Sequence, residues 1–326
     1  MRKTANNIYC VGELITTEFI EETSTFDSKE YRKLNATVRY APTLECQFTM
    51  KYNKYKFNKD GTKGELSVMY DFVEEVFKKY KPWIRKTLVG RESDGKPKWS
   101  ETVLPEGEKA DKVVCKAELV IIERPYLSRQ SGEIEIAKNQ MLKLNGKYGI
   151  THATEKDKDC GNFTLEMIVA TINKTENNLL FVNGLGVNQI GDNFSTYPLT
   201  LKVPENGVDV ILEQFEDVDL KNGVTAKFGG KIYKGKETIQ VDEEFDGTPV
   251  LRDRNLDELR VTVKAKGIVE YDEDDLDNGA LNPAEVKKIN EVRIKNNNDK
   301  KEKFRVEQRF NGKEEVPDDV IPFDLD

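Results

Sequence analysis

The chain has 326 residues, 37% of them hydrophobic, with 15 Phe and 12 Tyr, which is material for two small cores and a tail. No apolar run approaches the roughly 20 residues of a membrane span, and no stretch before Tyr9 has the make-up of a signal peptide, so a cytoplasmic protein is expected. The net charge of −8 counts against a polyanion binder, but residues 51–98 hold thirteen Lys/Arg against seven Asp/Glu, and binding follows the local field.

The pattern is mainly that of strands. Tyr9 to Ile20 alternates irregularly around Gly12, as a bent or bulged strand does. Lys33 to Tyr40 alternates cleanly, with Leu34, Ala36, Val38 and Tyr40 facing a core and Asn35, Thr37 and Arg39 facing water. Cys46, Phe48, Met50 and Tyr52 give a third strand, and Asn58 to Gly61 a turn. Apolar residues at three- and four-residue spacing predict a helix over 65–80, stopped before Pro82. Arg91 to Gly107 reads as a polar loop, and Lys112 to Arg124 as a strand. Three strands, an inserted helix and closing strands suit a small Greek-key barrel of the OB type.

Residues 1–150 are thus expected to form one OB-like barrel, with a boundary within Thr151–Asn162. A second β-rich, OB-like block over 160–270 is expected from strands at 163–172, 179–182, 197–203, 224–233 and 258–269. Residues 271–313 read as an acidic linker. In it Asn282-Pro-Ala-Glu285 starts a short helix to about Ile294, followed by a strand at Phe304–Phe310. Residues 314–326 form an acidic tail with too little apolar content to fold alone.

The chemistry-bearing residues point away from catalysis. His152 is the only histidine, which removes most acid–base and triad mechanisms. Cys10, Cys46, Cys115 and Cys160 are scattered without ligand spacing, so reduced thiols and no structural zinc are expected. Gly184-Leu-Gly186 through Gly191 lacks the dinucleotide spacing, and no phosphate-binding loop exists. The acidic run Glu270–Asp277 lacks EF-hand spacing and reads as a solvated loop, although a metal-dependent nuclease would use such a cluster. No enzyme, cofactor or metal is expected.

Lys51-Tyr-Asn-Lys-Tyr-Lys-Phe-Asn-Lys59 interleaves Tyr52, Tyr55 and Phe57 with Lys51, Lys54, Lys56 and Lys59. Rings that stack on bases beside lysines that follow phosphates suit unpaired nucleic acid, and an amphipathic core strand is the competing reading. Lys81, Trp83, Arg85, Lys86 and Trp99 extend the pattern, and Lys231 and Tyr233 continue it in the second block.

The tail Val316-Pro-Asp-Asp-Val-Ile-Pro-Phe-Asp-Leu-Asp326 carries Ile321 and Phe323 as anchors, prolines that keep it extended, and no basic residue. Its Asp318-Asp319, Ile321, Pro322 and Phe323 resemble the acidic tip of bacterial and phage single-stranded DNA-binding proteins. Lys221 to Tyr233, with its central Gly229-Gly230, resembles a strand of their barrels. The resemblance implies a protein that coats single-stranded DNA in replication, repair or recombination, in the host cytoplasm if phage-encoded. The tip would recruit replication and recombination proteins. Val320 interrupts the Asp run, and three residues follow a Phe that is usually terminal in that family, which implies an altered grip on the partner. The alternative is a β-rich phage structural or assembly protein that binds no nucleic acid.

Overall fold

The computed structural model describes residues 1–24, 28–58, 62–128, 131–175, 179–190, 193–242, 249–262, 267–268 and 279–311. The protein is mainly β, and strand pairing closes two five-stranded rings. The first contains β1 (Asn6–Thr23), β2 (Glu30–Ala41), β3 (Leu44–Asn53), β8 (Lys112–Leu127) and β9 (Ile134–Leu144). β1 pairs with β2, β2 with β3, β3 with β9, β9 with β8, and β8 with β1. Only the β3–β9 pair in this ring is parallel.

The second ring repeats the order with β11 (Cys160–Lys174), β12 (Leu180–Ile190), β13 (Asn193–Val203), β14 (Val224–Asp242) and β15 (Pro249–Val261). Here too the third and fifth strands, β13 and β15, are the parallel pair. This is the OB-type Greek-key arrangement twice over.

Each ring has a helix between its third and fourth strands. α1 (Val68–Lys79) buries Tyr70, Val73, Val76 and Phe77, and Phe77 stacks on Phe19 at 5.1 Å. It begins three residues later than expected because β5 (Lys63–Leu66) pairs with β4 (Tyr55–Phe57). α2 (Val208–Gln214) buries Val208 and Ile211, and Phe215 after it packs on Phe228.

The rings are joined directly. β1 pairs with β11 from Asn6↔Leu165 to Val11↔Cys160, and one cluster of buried side chains runs through both barrels. The buried Tyr40 hydroxyl donates to the Ile232 carbonyl across the junction. Its ring fits because residue 161 is glycine, where a Cβ would lie 2.8 Å from it. Gly186 of β12 has the same function against Tyr197 of β13, where a Cβ would lie 2.3 Å from the ring.

Two expectations are corrected. The polar stretch after Arg91 is not all loop: β6 (Ile84–Arg91) and β7 (Pro97–Val103) form a hairpin whose turn holds Gly95 at φ 86. β6 adds to the edge of β1 in parallel, so backbone pairing forms it despite its sparse apolar content. Nor is Phe304–Phe310 a strand, because it lies within α3 (Pro283–Asn311). Asn282 caps α3 as read, accepting from the Ala284 and Glu285 amides, and Leu281 and Val286 anchor it to a small apolar cluster. The run from β10 (Ile150–His152) to β11 is irregular. Among the described residues no helix is long and apolar enough to cross a membrane.

Candidate nucleic-acid interface

Period-2 alternation gives the β2–β3 pair two faces. Leu34, Ala36, Val38, Phe48 and Met50 are buried inside the barrel. On the opposite face, register sets Tyr31 opposite Asn53, Lys33 opposite Lys51 and Asn35 opposite Thr49, the last two buried, so Asn35 does not face water as expected. Thr49 donates to the Asn35 side chain, which donates in turn to Glu18 on β1.

At the end of this face three rings each carry a lysine. Lys51 Nζ lies 3.8 Å from the Tyr31 ring centre, Lys63 Nζ 3.7 Å from Tyr55, and Lys29 Nζ 4.4 Å from Phe57. The β4–β5 hairpin brings Tyr55 and Phe57 here. The Lys54 amide donates to Glu30 at the start of β2, and the Lys54 and Glu30 side chains pair as well. That pairing lowers the Glu30 carboxyl and raises the Lys54 ammonium from their ordinary pKa values. The Lys33 ammonium is pushed down by burial and by the neighbouring Lys51 charge. A cation over a ring face is a replaceable contact in water. Such a surface can therefore exchange its lysines for flat bases while those lysines take up phosphates.

The other residues singled out in the sequence divide by position. Tyr52 points to the core side of β3, half-buried, and burial raises its phenol. Lys56 is exposed and lies 3.8 Å from Glu65. Arg85 turns inward over Phe77, at 5.2 Å, and donates to the Tyr80 carbonyl. Lys81 pairs with Glu108, and Lys86 with Glu101 at 2.8 Å.

Trp83 is half-buried between α1 and β6, with its backbone bonded to Leu14 and Leu104. Trp99 stands opposite Leu88 on the outer hairpin. Through Thr49, Asn35, Glu18, Lys86 and Glu101, which are paired in register, Trp99 shares the outer face with Lys51. Lys231 is exposed on β14, two residues before Tyr233. Lys59, the acidic run 270–277 and the tail residues Asp318, Asp319, Ile321, Pro322 and Phe323 lie outside the described residues.

Tyr31, Lys29, Lys33 and Lys63 are absent from the sequence-based set. Tyr31 is a lone ring in a charged run, and only the β2–β3 register sets it beside Lys51. The four cysteines, distant in sequence, converge. Cys10 faces Cys115 across β1–β8, and the Cys10 thiol is raised by its hydrogen bond with Cys46 and by burial. Among the described residues no group of His, Cys, Asp or Glu side chains could hold a metal ion. His152 packs against the Tyr80 ring at 4.7 Å, 3.8 Å from Asp111.

No family model and no curated protein matches the chain. Among solved structures it is similar to the crystal structure of wild-type single-stranded DNA binding protein from Thermus aquaticus. That alignment covers 79% of this chain and 91% of the other, at a TM-score of 0.36 and 8% identity.

Proposed function

We propose that this chain is a single-stranded DNA-binding protein that coats unpaired strands in replication and recombination. The observation that carries the reading is the group of three ring–lysine pairs, Tyr31 with Lys51, Tyr55 with Lys63 and Phe57 with Lys29, at one end of the β2–β3 face. Each base stacked on a ring contributes roughly 1–3 kcal/mol whatever its identity, so three rings give sequence-independent affinity. Lys54 and Lys56 extend the charge along the hairpin, Lys59 continues the basic run in sequence, and Trp99 offers a further flat surface beyond β1. Residues 1–150 and 160–270 act as the two barrel domains of this binder. The tail, through Asp318, Asp319, Ile321, Pro322 and Phe323, recruits replication and recombination proteins, as its resemblance to the family's tip implies. In a phage this work is done in the host cytoplasm.

A gel shift comparing single- and double-stranded oligonucleotides at several salt concentrations tests the reading. Preference for the single strand, with affinity falling as salt rises, supports it. Equal binding to both forms, or none to either, rejects it.

A further inference from the structure

Strand register lines up a second cationic strip away from the ring–lysine cluster. Lys116 stands opposite Tyr9 on the β8–β1 ladder, Tyr9 opposite Asn162 on β1–β11, and Asn162 opposite Lys231 on β11–β14. The row continues through Arg260 of β15 to Lys202 of β13. Directly opposed residues project from one face of a sheet. Here it is the outer face, because Lys116, Tyr9, Asn162 and Lys231 are exposed while Ile8, Cys10, Cys115, Ala117, Phe163 and Ile232 are buried.

Three steps between neighbouring strands at about 4.8 Å separate Lys116 from Lys231 by about 14 Å along the sheet, and from Lys231 the row turns around the second barrel to Arg260 and Lys202. It crosses the seam where the two barrels meet and contains four cations and no acid. Among the described residues neither Lys116 nor Lys231 enters an ion pair. The Tyr9 hydroxyl hydrogen-bonds to Asp157, which also accepts from the Thr154 amide and hydroxyl at 2.7 and 2.8 Å and lies in the field of Lys112. Tyr9 is 36% exposed, so part of its ring meets solvent in the middle of the strip. A single file of cations around one flat ring matches a single-stranded polynucleotide. A duplex keeps its base faces stacked inside and gives Tyr9 nothing to stack on.

We propose that this strip is a second contact track for a single strand, with phosphates on Lys116 and Lys231 and a base on the Tyr9 ring, leading the strand across the barrel seam. The track rests on the nucleic-acid reading above and extends it to residues of both barrels.

The test measures oligothymidylate affinity of the full chain against salt for wild type, Lys116→Ala/Lys231→Ala, Tyr9→Ala and Tyr9→Phe. The double variant binds more weakly, and its salt exponent falls by about 1.4, since each phosphate contact on a single strand contributes about 0.7. Tyr9→Ala weakens binding about fivefold or more, the lower end of what one stacked base contributes. Tyr9→Phe keeps wild-type affinity, which assigns the effect to the ring and not to the hydroxyl facing Asp157. If wild type binds while the double variant keeps both affinity and exponent, the track is wrong and the nucleic-acid reading stands. If wild type does not bind the oligonucleotide, the reading itself fails and the track falls with it.

Discussion

Arg2 and Glu166 form a bidentate pair inside the protein, with Nη1 and Nη2 donating to the carboxylate at 2.7 and 2.6 Å and the Glu166 side chain fully buried. The Ala5 amide completes the carboxylate's partners at 2.9 Å, and Arg2 Nε donates to the Gly279 carbonyl ahead of α3. One side chain thus ties the N-terminal arm, β11 and the approach to α3 together. Removing Arg2 leaves a buried carboxylate without its counter-ion, so Arg2→Ala destabilises by about 3–5 kcal/mol in denaturant unfolding. Arg2→Met combined with Glu166→Leu recovers most of that loss, because no charge then stays buried alone. A double variant as unstable as Arg2→Ala contradicts this account.

Much of the fold is legible in local pattern. Alternation marks β1, β2, β3, β8 and β11, and three- and four-residue spacing marks α1. The element order already points to barrels. β9 is missed because its Lys138-Asn139-Gln140 stretch is polar, and its place comes from pairing with β8 and β3. α3 runs past Ile294 because Arg293 and Asn297 bind Glu123 at 2.5 and 2.8 Å, a contact between residues about 170 apart. The candidate site is half legible for the same reason. Residues 51–57 announce themselves by composition, whereas Tyr31, Lys33 and the Tyr9 strip exist only through strand register.

Lys33 gives a pH signature. Its folded pKa is lowered by burial first and by Lys51 second. The unfolded chain therefore binds more protons between that lowered value and the ordinary lysine value of about 10.4, and stability contributed by Lys33 rises with pH through that interval. Lys33→Met is expected to be more stable than wild type at pH 7, with the advantage shrinking as pH climbs through the same window. Chemical denaturation at a series of pH values checks it, and an advantage that grows with pH contradicts it.

On the proposed function, Lys51 makes one phosphate contact of the β2–β3 face. Lys51→Ala lowers the salt exponent for oligothymidylate by about 0.7, one phosphate contact on a single strand. It leaves thermal unfolding near that of wild type because Lys51 is exposed. An unchanged exponent removes Lys51 from the path.

On the proposed function, Phe323 serves recruitment and not coating. Phe323→Ala leaves oligonucleotide affinity near the wild-type value and abolishes capture of replication proteins in a pull-down with purified candidates. Parallel loss of both properties would contradict that division of labour.

Stacking on Tyr31 and Tyr55 is the centre of the account, and the most direct test is oligothymidylate binding by Tyr31→Ala/Tyr55→Ala, followed by Trp99 fluorescence in a Trp83→Phe background. With two rings removed, affinity is predicted to fall by about 2–6 kcal/mol while the salt exponent stays near its wild-type value. Wild-type affinity in this variant, with Trp99 quenched as before, would mean that bases do not stack at the end of the β2–β3 face.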